Sequence, residues 1–242
     1  GLPVKQAKEN VKNDLIKLNL ASKLYEIMNS PVMCRCGAEC IIKMFENQWF
    51  IDYGNVEWKK DVHSLINSMS LIPQEIKIEF HNTVDWLREK ACARGSGMGT
   101  LLPWDNNWII ESLSDSVIYM AYYTISRLIK KHEIDPKNLS EEFFDYIFLG
   151  VGTLESVSIQ TTIGKSILEE FRNEFLYFYP LDSRHSGRDL VPNHLTFFVF
   201  NHSAIFPSNL YPKQIVVNGS VLMDGKKMSK SFGNIIPLRH AV

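Results

Sequence analysis

No run of apolar residues in this 242-residue chain approaches the roughly 18 needed to cross a bilayer, so no membrane-spanning helix is expected. The first thirteen residues, Gly1 to Asn13, are polar and lysine-rich and lack the apolar core of a secretory signal. An excess of one charge is also missing: 26 Lys and Arg stand against 27 Asp and Glu, a net charge of −1. That balance argues against a generally basic nucleic-acid-binding surface and leaves one local basic cluster, Lys226, Lys227 and Lys230. Cysteine is scarce. Of four residues, three are packed into Cys34-x-Cys36-x3-Cys40. This is no disulfide framework; without a secretory signal it reads as metal ligands or reduced thiols. Internal repeats and low-complexity tracts are lacking as well. The expectation is a cytoplasmic globular protein, long enough to bury a sizeable core.

What is present reads as mixed α/β. Val11, Leu15, Leu18, Ala21, Leu24 and Ile27 recur at three- and four-residue steps, which predicts a helix over 5–30 stopped by Pro31. Ile41 to Phe45 and Gln48 to Ile51 flank Glu46-Asn47 and predict a β-hairpin with the cysteines on its leading arm. Residues 55–90 read as two helical pieces broken near Pro73, followed by the glycine-rich stretch Gly95 to Gly99. Glu111 to Ser116 is rich in N-cap residues and precedes a strong helical pattern from Val117 to Ile129. Further helical segments fall at 140–148 and 164–175, and Leu176 to Tyr179 reads as a short buried strand. Pro192 opens a helix carrying Leu195, Phe198, Val199, His202 and Ile205. Ile215-Val216-Val217 is a β-branched strand ending in the turn Asn218-Gly219. Strand 176–179, helix 192–206 and strand 215–217 make a βαβ unit, hence a parallel sheet with ligands at its carboxyl edge.

Two motifs fall near that edge: His185 to Asp189, and Lys227-Met228-Ser229-Lys230-Ser231 after the tight turn Asp224-Gly225. A bare Lys-x-x-Lys is ordinarily a solvated turn. The full pentapeptide, followed by Phe232-Gly233-Asn234, is far more specific: a compact, doubly positive loop suited to a polyphosphate. Two decoys fail. Gly164-Lys165-Ser166 lacks the glycine of a P-loop, since Ile159 stands five residues before Gly164, and Gly95 to Gly99 lacks the dinucleotide spacing.

Letter for letter the pentapeptide is the KMSKS signature of class I aminoacyl-tRNA synthetases. Further stretches resemble leucyl-tRNA synthetases of the archaeal and eukaryotic cytosolic type: Asp85 to Arg94, Leu102 to Asp105, Glu111 to Ser116 with Tyr119 to Ala121, and Arg184 to Leu190 with Asn193 to Leu195. The resemblance covers most of 5–242. It implies the second half of a Rossmann-type catalytic domain over 81–242, ending at the KMSKS loop. It also implies a connective helix and β-hairpin region over 1–80, resembling half of a zinc ribbon. Lys227 and Lys230 are implied to be catalytic. ATP, with Mg2+, is implied to be met by Gly187, Asp189, Met228, Ser229, Lys230 and Ser231. Ser116, Tyr119 and His194 are implied to line the leucine pocket, with Ser116 and Tyr119 one turn apart on a short helix. Cys34, Cys36 and Cys40 are candidate Zn2+ ligands or buried reduced thiols. His185 and His202 are given no role.

The same resemblance exposes an absence. None of the seven histidines stands in the His-x-Gly-His pattern that completes a class I ATP site. The chain is therefore expected to be an internal fragment that is inactive alone. It would run from after the editing domain to just past KMSKS, lacking the N-terminal half of the catalytic domain. Expected partners are leucine, ATP, tRNA(Leu) and the rest of the enzyme, with no membrane. The alternative is a non-catalytic module that binds tRNA, leucine or a protein partner.

Overall fold

The computed structural model describes residues 2–27, 31–34, 36–42, 46–228, 233–237 and 239. They form two compact units, 1–48 and 49–242.

The smaller unit begins with α1, Val4–Lys17, well short of the helix expected over 5–30. A Schellman turn ends it: Leu20 N–H donates to Leu15 O at 2.9 Å and Asn19 N–H to Ile16 O at 3.0 Å. Asn19 supplies the left-handed residue at φ 55, a conformation asparagine tolerates better than most side chains. The spacing of Ala21, Leu24 and Ile27 thus falls on non-helical chain, and Leu24 is 82% exposed. The expected cysteine-bearing hairpin is corrected too. Ile41 and Ile42 belong to no strand, and residues 43–45 lie outside the described residues. The chain instead reverses within the cysteine segment. Cys34 N–H donates to Ala38 O at 2.8 Å and Cys40 N–H to Val32 O at 2.7 Å, with Gly37 at φ 83 in the turn.

The larger unit opens with β1 (Phe50–Asp52), which pairs antiparallel with β3 (Glu89–Ala91). Between them come α2 (Val56–Ser68), β2 (Ser70–Ile72) and α3 (Ile76–Trp86). The break near Pro73 is as expected, but it holds a strand. Asn55 caps α2 by accepting from Trp58 N–H at 3.0 Å. Strands β4 (Ala93–Arg94), β5 (Leu101–Leu102) and β6 (Asp105–Ile110) form an antiparallel sheet in the order β4-β6-β5, with the glycine-rich stretch joining β4 to β5. Gly99 permits that path, because a Cβ there would sit 2.6 Å from Ile109 Cγ2.

A helical layer follows: α4 (Ser112–Asp115), α5 (Tyr119–Lys131), α6 (Glu141–Phe144) running into a π-helical turn 145–149, α7 (Leu154–Thr161) and α8 (Lys165–Phe178). Leu168, Phe171 and Phe175 face the core at helical spacing, and buried Tyr179 continues it. The strand expected at 176–179 is therefore the end of α8, with Leu176, Tyr177 and Phe178 exposed. A four-residue apolar run does not distinguish a strand from a helix end.

The true strand is the polar β7 (Arg184–Gly187). A π-helical turn Val191–Leu195 leads into α9 (Thr196–Ile205) and then β8 (Gln214–Asn218). Strands β2 and β7 both pair parallel with β8, in the order β2-β8-β7. The βαβ unit thus stands, with its first strand moved to β7. A hairpin of β9 (Leu222–Met223) and β10 (Lys226–Lys227) follows.

Two apolar clusters hold this unit. One gathers Ile66, Phe80, Val191, Leu195, Phe198 and Ile215 around the parallel sheet, and the other gathers Ile125, Phe143, Phe171 and Phe175 under α5 and α8. Burying each such side chain contributes about 1.5–3 kcal/mol before entropy is counted.

Candidate functional site

The parallel sheet brings two segments to one edge. Gly187, the last residue of β7, stands opposite Asn218, the last residue of β8. The chain leaving β7 and the chain leaving β8 therefore start side by side at the carboxyl end. The need for glycine at 187 is spatial rather than conformational: its φ is an ordinary −78, but a Cβ would lie 2.6 Å from Asp189 Oδ1. The Asp189 carboxylate thus rests over the strand end. Arg188 fastens this edge to α3, its Nε donating to Glu79 Oε1 at 3.0 Å.

His194 lies in the π-helical turn above the same strand, 7% exposed. Its Nε2 lies 3.2 Å from Arg184 Nη2. Burial first, and the Arg184 charge second, hold its imidazole below the ordinary histidine range. His202 is a packed residue. Its ring Nδ1 lies 2.9 Å from Phe198 O, its Nε2 lies 3.3 Å from the Tyr179 hydroxyl, and burial pushes it down to about 4. His185 lies in β7, beside Val216 of β8.

Ser116 and Tyr119 do not share one short helix as expected. Ser116 is the C-cap of α4, Tyr119 is the first residue of α5, and Ile118 at φ −125 separates them. Val117 between them is fully buried in the cluster that holds Val191 and Leu195. The 116–119 segment and the His194 turn therefore flank one core. Beside α5 and α8 lies a cavity of about 400 Å³ with Met120, Tyr123, Phe178 and Leu181 in its wall and the Arg127–Glu174 pair, 3.3 Å apart, completing it.

The lysine loop leaves the sheet on the β9–β10 hairpin. Asp224 at φ 51 and Gly225 at φ 74 form its turn, which suits the right-handed strand twist. Lys227 stands opposite Leu222, and Met228 N–H donates to Val221 O at 3.3 Å. Ser229, Lys230 and Ser231 lie outside the described residues.

The cysteines do not assemble into a closed site. Cys34 and Cys36 are exposed, Cys40 is half-buried, and none of the three is in a disulfide. Among the described residues no group of three or more His, Cys, Asp or Glu is placed to hold a metal ion. A structural zinc site takes four ligands, so these residues as placed do not fit one. Cys92 is held in the larger unit, its N–H donating to Trp49 O at 3.0 Å, and burial raises its thiol toward inertness. Arg184 is the site residue to which sequence reasoning gave no role. It was visible only as one letter of a longer motif, with no spacing rule to single it out.

The larger unit is a mixed α/β fold whose parallel strands β7 and β8 end side by side, and in such sheets ligands commonly bind at the carboxyl ends of the strands. The relatives are more particular. No protein-family model matches the chain. It is 57% identical over 239 residues to leucine–tRNA ligase 2 of Saccharolobus solfataricus, covering 99% of this chain and 25% of that protein. It is 57% identical to leucine–tRNA ligase 2 of Sulfurisphaera tokodaii and 53% to leucine–tRNA ligase of Pyrobaculum arsenaticum, each over 100% of this chain and 26% of the relative. The chain is thus the counterpart of a segment of archaeal leucine–tRNA ligases and spans about a quarter of their length.

Proposed function

We propose that the chain is the part of a leucine–tRNA ligase that closes one side of the ATP site and contributes to the leucine pocket. The observation that carries this is similarity along the whole chain to proteins of that name. The shared sheet edge of Gly187 and Asn218 supports it. The reaction joins the leucine carboxylate to the α-phosphate of ATP, supplied with Mg2+, to give leucyl-adenylate and pyrophosphate. The leucyl group then passes to the 3′ end of tRNA(Leu). Negative charge builds on the phosphates in the first step. Lys227 and Lys230 stabilise it more in the transition state than in the ground state. Met228, Ser229 and Ser231 shape the loop around ATP. Gly187 leaves space for Asp189, whose carboxylate accepts from the ribose hydroxyls. Ser116, Tyr119 and His194 line the pocket for the leucine side chain.

In this proposal 81–242 is the second half of a Rossmann-type domain and 1–80 is the descending connective region, which lends strand β2 to the parallel sheet. The ligase acts in the cytoplasm. No step is assigned to zinc. The alternative of a non-catalytic module gains nothing from the structure, and the intact lysine pair weighs against it.

Leucine-dependent ATP–pyrophosphate exchange is the test. The chain alone should show none, since it holds no His-x-Gly-His, and supplying the rest of the enzyme should restore exchange. Robust exchange by the chain alone overturns the half-site reading. No exchange from the reassembled enzyme overturns the ligase reading.

A further inference from the structure

Arg184 opens β7 and His194 lies in the turn that follows it, and their side chains meet at 3.2 Å. A guanidinium carries only N–H donors. The contact therefore makes His194 Nε2 the acceptor and leaves the ring proton on Nδ1. The opposite tautomer would set N–H against N–H, and an imidazolium would add a second positive charge beside the first.

No Asp or Glu among the described residues pairs with Arg184, and its Nε is buried with no hydrogen-bond partner among them. The other titratable groups within reach of its charge are Tyr179, whose phenol burial raises, and His202, which burial holds neutral. Burial and, after it, the Arg184 charge both disfavour the His194 imidazolium.

We propose that Arg184 is a positioning residue of the leucine pocket: by donating to Nε2 it locks His194 as a neutral, Nδ1-protonated imidazole. This rests on the reading that His194 lines that pocket. The reason is specificity. A charged wall must be desolvated when an isobutyl group enters, and it favours polar side chains that leave the charge solvated or paired. A neutral ring with a fixed proton packs against the aliphatic group at no such cost.

The test is long-range proton–nitrogen NMR of the 242-residue chain with labelled histidine rings, His194 being assigned by its loss in His194→Gln. At pH 7 the His194 proton should be on Nδ1 with Nε2 bare, and its midpoint should lie below the ordinary value of about 6.5. Arg184→Met should raise that midpoint and put a proton on Nε2, whereas Arg184→Lys, which keeps charge and donor, should preserve the parent pattern. His202, whose Nδ1 lies 2.9 Å from the Phe198 carbonyl, should keep its proton on Nδ1 at pH 7 in every variant and so reports that the fold is intact. A proton on Nε2 in the parent, or an unchanged spectrum in Arg184→Met, overturns the lock. The pocket reading is tested apart from this, in the complete ligase. If His194→Ala leaves the leucine KM unchanged, that reading falls and the NMR result stands.

Discussion

Helix α9 and the β9–β10 hairpin flank the same strand, β8, on opposite physical terms. α9 buries Thr196, Phe197, Phe198, Val199, Phe200 and His202. Even its polar groups are satisfied inside: Thr196 Oγ1 donates to Val191 O at 2.6 Å, and Asn201 Nδ2 donates to the buried Tyr53 hydroxyl at 3.1 Å. The hairpin leaves Val221 66% and Leu222 59% exposed and has strands of two residues. The first region is buried along its length and so can hold firm the preceding turn that carries His194. The second has a left-handed turn and a short ladder, which suits a loop that must close on a ligand and release it. A pocket and a clamp, the roles proposed for these regions, call for different construction.

The comparison can be broken from either side. Phe198→Ala should destabilise the chain by about 3–5 kcal/mol, read as a lower urea midpoint; a loss under about 1 kcal/mol would mean α9 is not the framework its burial indicates. Lys230→Ala should leave that midpoint within about 0.5 kcal/mol of the parent. In the complete ligase it should slow adenylate formation by roughly 10²–10³ with little change in leucine affinity, measured by single-turnover kinetics. An equal loss of leucine binding would contradict the phosphate role.

Acid should sharpen the contrast further. His202 has a folded pKa of about 4 against 6.5 unfolded, so between those values the unfolded chain takes up a proton that the folded chain refuses. This contribution is complete above about pH 6.5 and is lost as pH falls, at up to about 1.4 kcal/mol per pH unit. His194 adds a slope of the same sign. Urea midpoints at pH 7, 6 and 5 should therefore decrease, and a flat series would mean the histidines are not held neutral. The smallest effect falls on the hairpin. Gly225→Ala places a side chain at φ 74 with nothing within 4 Å of its Cβ, so the cost is conformational only, about 1–2 kcal/mol. It should quicken amide exchange at Leu222 and Lys227 while the global urea midpoint stays put. A shift of that midpoint would show that the hairpin is part of the core cooperative unit.

The elements legible in the sequence were those with strong local physics. The spacing of Leu195, Phe198, Val199 and His202, the β-branched run in β8 and the Asp224-Gly225 turn each specify a conformation within a few residues, and each is found. Strand β7 was not legible. Arg184, His185, Ser186 and Gly187 carry neither apolar alternation nor β-branching, and the segment is a strand because β8 pairs with it. The end of α1 was hidden in Asn19, an ordinary letter until a left-handed turn uses it.

By itself the sequence determined which groups are on offer: paired lysines, a Gly-x-Asp element, and a relationship to leucine–tRNA ligases that was legible in several ordered motifs. Those are properties of residue identity and order, which survive without coordinates. Tertiary structure alone decided that β7 rather than 176–179 completes the parallel sheet, that Ser116 caps one helix while Tyr119 opens the next, and that Arg184 faces His194. These depend on which distant segments are packed together. Burial and the direction of a single N–H are set by neighbours in space, and the order of residues along the chain does not encode them locally.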